Sequence, residues 1–514
     1  MTKVSELISE SLKEYLVLTG WVVTKPEEVS LRAKLGHISL QYPFMSARMQ
    51  SVVGPEMAVA AGRQGILTMI PRSLNDEDKE KIIQANKKAK LKADDIEFQD
   101  DPVFASPTST LEDVINIVKK VGHSVIPVMD RMSKLEGIYI HNPKILDLFP
   151  PWKPIREIIS ENIEYRLENE GGDIPYLKNT VDLNAINNAL RDNKRRFIPI
   201  VNQDMILQKL AFLQKYDTNF IGIAISTRGN WKEELEKWGH RADNVCIDSS
   251  NACFDDALKI LKYAKESCEL KDKLFGIGNI IKAEDFKIFA DAGADYLIGG
   301  MGVGSICQTG SSETGRGNGR GQMSVARELA RAREEYKGKR YVPFVLDGGI
   351  ESVQNMTVAL AFADFIMMGN YFNKFYEAAG QKFDDEENPT NDEAHFEYVE
   401  SWGEGHSRAR LVSMYGIDFR RKLSKITPEP ERFIERYGHL TLAGSTVEGV
   451  VGLVRYRGRL KPCVERDAAY LRTTISNAGA SDLKSFREKA VVERASKMTL
   501  LDMLPHDIKI TEID

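Results

Sequence analysis

Nowhere in its 514 residues does the chain carry an apolar run approaching the roughly 20 residues that cross a bilayer. The opening Met1-Thr2-Lys3-Val4-Ser5-Glu6 is polar and lacks the basic-then-apolar order of a secretory leader. A soluble, cytoplasmic protein with no membrane partner is expected. Cysteine is scarce: Cys246, Cys253, Cys268, Cys307 and Cys463 are odd in number and follow no framework spacing, so no disulfide scaffold is implied and a reducing compartment fits. The eight histidines are scattered and make no His-Glu-X-X-His pattern. A formal charge of −5 gives no general case for binding nucleic acid or an anionic surface. Also missing is a Gly-X-Gly-X-X-Gly between a strand and a helix, so a dinucleotide would have to bind outside a Rossmann unit.

Glycine, by contrast, is concentrated in residues 299–350. This stretch opens Gly299-Gly300-Met301-Gly302-Val303-Gly304-Ser305-Ile306-Cys307-Gln308-Thr309, passes through Thr314-Gly315-Arg316-Gly317-Asn318-Gly319-Arg320-Gly321-Gln322, and closes on Leu346-Asp347-Gly348-Gly349-Ile350. Asp295-Tyr296-Leu297-Ile298 reads as a strand before it, and residues 342–346 read as another. A cysteine thus follows one strand and an Asp-Gly-Gly follows the next. Strand ends of this kind carry the active site in (β/α)8 barrels. Glycines there let backbone N–H groups form an anion nest. Beside such a nest Cys307 is a candidate nucleophile. The bland alternative, an ordinary buried cysteine, sits poorly with so many loop glycines.

The length calls for more than one domain. Residues 1–95 begin a βα pattern, with a strand-like Ile38-Ser39-Leu40, a helical spacing over residues 56–64, and a strand over residues 65–70. The pattern resumes at residue 213, with strands over 220–226, 245–251, 274–280 and 365–370; counting all of them gives an eight-strand (β/α)8 barrel from 1–95 and 213–514. Between them, residues 96–212 contain an internal repeat. An amphipathic helix, a strand containing Pro127 or Pro199, a turn and a second apolar segment occur twice. Beyond residue 375 few periodic elements are visible, and residues 376–458 are expected to form a mobile flap over the barrel.

Gly-Ser-Ile-Cys-X-Thr followed by Gly-Arg-Gly-Gln and Asp-Gly-Gly-Ile closely resembles the inosine monophosphate dehydrogenase and GMP reductase superfamily, over nearly the whole chain and most specifically from 276 to 450. The repeat resembles a CBS pair, which implies binding of adenine or guanine nucleotides. The resemblance implies NAD-dependent oxidation of IMP to XMP, with Cys307 adding to the purine as a covalent thioimidate and Thr309 positioning the reacting centre. Ser46, Ser305, Gly348, Gly349, Gly369 and Asn370 match substrate-binding positions, most of them around the phosphate. Asp347 matches the carboxylate that accepts from the ribose hydroxyls. Asp248, Ser249, Ser250, Asn279, Gly300 and Gly302 match the cofactor side. Arg436 and Tyr437 match a flap dyad that activates water, and Glu448 a purine contact. Backbone carbonyls of Gly302, Gly304 and Cys307 match a K+ site. A tetramer or octamer of barrels is implied.

Departures from the family pattern accompany these matches. Ile298 stands where a basic residue is usual, Ser401 where a tyrosine is, and Asn370 where Ser or Arg is commoner. Leu501-Asp502-Met503-Leu504-Pro505-His506 replaces a Glu-Gly-Gly. Arg408 and Arg410 with Tyr415 form a weaker rival to the dyad. Two alternatives stay open: a GMP reductase that consumes NADPH and releases ammonia, and a purine-nucleotide-binding paralogue with a regulatory role.

Overall fold

A computed structural model of the chain describes residues 8–88, 96–100, 102–121, 124–142, 144–180, 182, 185–186, 189, 197–213, 220–267, 269–270, 273–307, 309–310, 315–338, 340–418 and 449–505. It divides into two compact units, residues 1–88 with 217–514, and residues 89–216.

The larger unit is an α/β barrel. Eight strands, β1 (Phe44–Ser46), β2 (Thr68–Ile70), β3 (Ile221–Ser226), β4 (Asn244–Asp248), β5 (Leu274–Ile280), β6 (Tyr296–Gly299), β7 (Phe344–Asp347) and β8 (Phe365–Met368), pair in parallel in the order β1-β8-β7-β6-β5-β4-β3-β2. A bridge between Met45 and Leu67 closes the ring, with the Ser46 N–H donating to the Leu67 carbonyl at 3.0 Å. Helices follow the strands: α1 (Pro55–Arg63), α2 (Asp76–Lys88), α3 (Trp231–Trp238), α4 (Asp255–Glu266), α5 (Ala283–Asp291), α6 (Gln322–Glu335), α7 (Val353–Leu360) and α8 (Leu460–Asn477). Runs such as Ile221–Ser226 and Leu274–Ile280 form strands because both of their faces are covered, one by helices and one by the barrel interior. Eight strands close the barrel, as counted from the sequence, but the first is Phe44–Ser46 and not Ile38–Leu40, which pairs antiparallel with Ala33–Leu35 as a hairpin outside the ring.

The interior is packed rather than hollow. Met45, Met69, Ala224, Cys246, Tyr296, Ile298, Val345, Phe365 and Met367 fill it, and a hairpin of Ala33–Leu35 and Ile38–Leu40 joins the same cluster. Within this apolar filling the Tyr296 hydroxyl donates to the Asn244 side-chain oxygen at 2.7 Å.

The region after residue 375 is more regular than its sequence suggests. Lys382–Phe383, Tyr398–Trp402 and Val451–Arg455 form a three-stranded antiparallel sheet, and Ser407–Tyr415 is a helix. Glu400 and Ser401 are buried in the central strand, where Glu400 pairs with Arg408. Buried polar residues break the apolar alternation by which a strand is read.

In the smaller unit the repeat is structural. Val125–Met129 pairs with Leu135–Ile140, and Phe197–Val201 with Leu207–Leu213, each with a register shift at the same place. Both turns are held alike. The Asp130 carboxylate accepts from the N–H groups of Met132 and Lys134 at 2.8 and 2.9 Å, and the Asn202 side-chain oxygen from those of Asp204 and Ile206, each at 2.9 Å. Ser133 and Met205 occupy the left-handed region at equivalent positions, with φ of 63° and 65°. The two hairpins share one core of Val125, Met129, Leu135, Phe197, Val201 and Leu210.

Tyr296→Phe removes the donor to Asn244 and leaves a buried acceptor unpaired, so unfolding free energy falls by about 1–3 kcal/mol. The urea midpoint of the barrel unit measures this, and an unchanged midpoint contradicts it.

Candidate functional site

The carboxyl ends of the strands open on a cavity of about 600 Å3. Its walls come from the loops after β1 to β8 and from Gly403, Glu404 and Gly405, which follow the strand Tyr398–Trp402. The Cys307 loop must pass close beneath its neighbours. A Cβ on Gly300 would stand 2.3 Å from the Asp347 carbonyl, and the residue has a φ of +134°, so only glycine fits.

One guanidinium organises the mouth. Arg48, just past β1, keeps only 9% of its side chain exposed; its Nε lies 3.0 Å from Asp248 Oδ1 and its Nη2 3.0 Å from Asp347 Oδ2. Nη2 also donates to the Asn279 side-chain oxygen at 2.9 Å. Burial alone would push this guanidinium down, but the charges of Asp248 and Asp347 overcome it, and Arg48 is held cationic. Asn279 turns its Nδ2 to the Gly300 carbonyl at 2.7 Å and to Asp347 Oδ2 at 3.1 Å. Arg72 holds the second oxygen of Asp248 at 3.1 Å. The carboxylates of Asp347 and Asp248, which follow different strands, are therefore fixed by one fork. Ile298 is fully buried within the barrel filling, and Arg48 supplies the cation at the mouth from a different strand end.

Gly348, Gly349, Ser305 and Asn370 line the same cavity. Gly348 and Gly349 take φ of 93° and 70° directly after β7, which turns the chain sharply over the strand end. The Ser305 hydroxyl donates to Glu351 Oε1 at 2.5 Å and accepts from Asn370 Nδ2 at 2.7 Å. Cys307 is exposed to the cavity and its Sγ lies 3.5 Å from Thr309 Oγ1. The carbonyls of Gly302, Gly304 and Cys307 accept no hydrogen bond among the described residues.

Of the residues singled out from sequence, Cys307, Thr309, Ser305, Asp347, Gly348, Gly349, Gly369, Asn370, Asp248, Ser249, Ser250, Asn279, Gly300, Gly302 and Gly304 all line this one cavity. Ser46 does not line it: the side chain is buried and accepts from the Met69 N–H at 3.0 Å, bracing β1 against β2. Ser401 is buried in its sheet and likewise does not line the cavity. Arg436, Tyr437 and Glu448 lie outside the described residues. Of their rival group, Arg408 is committed to Glu400 and Arg410 lines the cavity. Sequence reasoning passed over Arg48, Glu351 and Glu404. Arg48 and Glu351 follow strand ends directly, which is the positional signal for them; Glu404 is marked by its flanking glycines.

Glu404 is a half-buried carboxyl that lines the cavity. The Ser73 hydroxyl donates to one oxygen and the Gln50 N–H to the other, the latter at 2.7 Å. Burial pushes it up to about 7, against the pull of those two donors and of Arg72.

The fold and the site define a (β/α)8 barrel whose ligand cavity is bounded by a glycine-rich cysteine loop and an Asp-Gly-Gly turn. The chain belongs to the IMP dehydrogenase / GMP reductase family, whose domain matches residues 10–506. Inosine-5'-monophosphate dehydrogenase of Tritrichomonas foetus is 29% identical, over 98% of this chain and 96% of its own. The enzyme of that name from Methanocaldococcus jannaschii is 27% identical over 96% and 93%. Among solved structures, a GMP reductase from Trypanosoma brucei in complex with guanosine 5'-monophosphate has a TM-score of 0.63 at 21% identity, covering 98% of this chain and 99% of its own. This last likeness is one of fold.

Two outcomes are expected. Arg48→Met leaves two largely buried carboxylates without their shared partner and destabilises the barrel by about 3 kcal/mol, whereas Arg48→Lys, which reaches only one of them, loses less. Equal urea midpoints for wild type and Arg48→Met would contradict this. Glu404 keeps its proton to about 7 when folded but loses it near 4.5 when unfolded, so the folded state binds more protons in between. Its penalty is absent below the lower value and complete above the higher; stability therefore declines as pH rises through that window. Glu404→Gln removes the decline, which melting temperatures at about pH 5 and about pH 8 will show.

Proposed function

We propose that the protein is an NAD-dependent IMP dehydrogenase that oxidises IMP at C2 to give XMP. The observation that carries the reading is the convergence on one cavity of the Cys307 thiol, the Asp347 carboxylate and the Ser305, Gly348 and Gly349 cradle. Relatives named as dehydrogenases, similar over nearly the whole chain, support it.

Asp347 suits a vicinal diol: an ionised carboxylate offers two acceptor oxygens, and Arg48 and Asn279 hold it in place. With the ribose anchored there and the phosphate in the cradle, the purine is presented to Cys307. Thiolate addition at C2 makes one C–S bond, departure of hydride leaves a thioimidate, and water then releases Cys307 and the product. NAD, when bound, supplies the hydride acceptor; Asp248, Ser249, Ser250 and Asn279 are the residues that would hold it. Arg436 and Tyr437 are assigned to activating the water, with Glu448 against the purine. The three carbonyls of Gly302, Gly304 and Cys307 suit a monovalent cation such as K+, which takes neutral oxygen ligands. Residues 96–212 are read as a CBS pair that binds a purine nucleotide, and the assembly as a tetramer.

Purified protein with IMP, NAD and K+ should generate absorbance at the NADH band, and Cys307→Ala should generate none. If IMP binds but no NADH forms, while GMP with NADPH is turned over, the dehydrogenase reading fails in favour of a reductase.

A further inference from the structure

Inside the cradle that this reading assigns to phosphate stands a carboxylate. Glu351 follows Gly348, Gly349 and Ile350 and turns back into the cavity. Its Oε1 accepts from the Ser305 hydroxyl at 2.5 Å and lies 3.5 Å from Asn370 Nδ2, which itself donates to Ser305. These are the two side-chain donors that a phosphate oxygen would use. The charged groups facing Glu351 are Lys13, whose Nζ is 3.6 Å from Oε2, and Lys374, which follows the helical turn after β8 and has Arg457 nearby. Burial works against ionisation of Glu351, but the Ser305 hydroxyl, Lys13 and Lys374 outweigh it and hold the carboxyl below its ordinary value. Glu351 is thus an anion at neutral pH.

A phosphate monoester loses its second proton near pH 6. Its dianion would place like charges within hydrogen-bonding distance and offers Glu351 nothing but acceptors. The monoanion retains a P–O–H. We propose that Glu351 makes the cradle selective for the monoanionic phosphate, whose hydroxyl donates to the Glu351 carboxylate in place of Ser305, while its other oxygens accept from Asn370 and from the Ser305 hydroxyl, which turns from Glu351 to the phosphate. No proton changes hands; the site takes the singly charged form from solution. Glu351 is accordingly a specificity-determining residue of the nucleotide site, and the inference rests on the cradle being that site.

Calorimetric titration of the full chain with IMP between about pH 6 and about pH 8 tests it. Affinity of the wild type should weaken by roughly fiftyfold across this range, following loss of the monoanion. Glu351→Gln can hydrogen-bond either form, so its affinity should change by less than about threefold and exceed that of the wild type at the upper end. A flat wild-type profile, no binding at the lower pH, or the same slope in both proteins would overturn the proposal. The phosphorus resonance of IMP bound to the wild type at about pH 7.5 gives a second reading that needs no variant: a shift typical of the monoanion supports the proposal, one typical of the dianion contradicts it. Failure here is separable from failure of the dehydrogenase reading. NADH formation with a flat binding profile removes only the Glu351 inference, and the expected profile without NADH removes only the dehydrogenase reading.

Discussion

The barrel mouth depends on a largely buried guanidinium placed between two carboxylates. Without Arg48, Asp248 and Asp347 would face one another's wall across an apolar filling of Cys246, Ile298 and Met367, a costly place for unpaired charge. With it, both are fixed in direction. Because one oxygen of Asp347 is taken by Arg48 and Asn279, the carboxylate cannot rotate freely, and any ligand hydroxyl that meets it meets a preset acceptor. The same fork ties Asp248, held from the other side by Arg72. Two loops that follow different strands thereby act as one surface.

Around this fixed centre the glycine-rich loop supplies what side chains cannot. Gly300 crosses the Asp347 backbone at a distance that excludes any Cβ, and Gly348 with Gly349 turns the chain away in left-handed conformations. The result brings Cys307, Ser305 and Asp347 to one cavity although they follow different strands. A parallel barrel makes this possible, since every strand ends on the same face.

The architecture was legible because parallel strands buried on both faces leave continuous apolar runs, as in Ile221–Ser226, and because glycine clusters mark strand ends. The repeat was legible from the paired Pro127 and Pro199 strands, and the structure extends it to the turns at Asp130 and Asn202. What escaped notice is instructive. Arg48 reads as a surface cation unless its partners are known, and those partners come from residues about 200 and 300 positions away. Ser46 reads as a polar contact, yet it braces β1 against β2 through the Met69 N–H. Glu351 and Glu404 read as ordinary acidic residues, because burial depends on packing across the chain rather than on neighbours in sequence. The sheet after residue 375 was hidden by Glu400, a buried charge whose partner, Arg408, lies one element further on.

On the proposed function this mouth holds a purine nucleotide so that Cys307 bonds to it. Rapid acid quench of the protein with IMP and NAD, followed by proteolysis and mass analysis, reads that bond. A nucleotide adduct confined to the peptide that contains Cys307 is the predicted result. An adduct on Cys246, Cys253 or Cys463 instead, or turnover with none on Cys307, would contradict it.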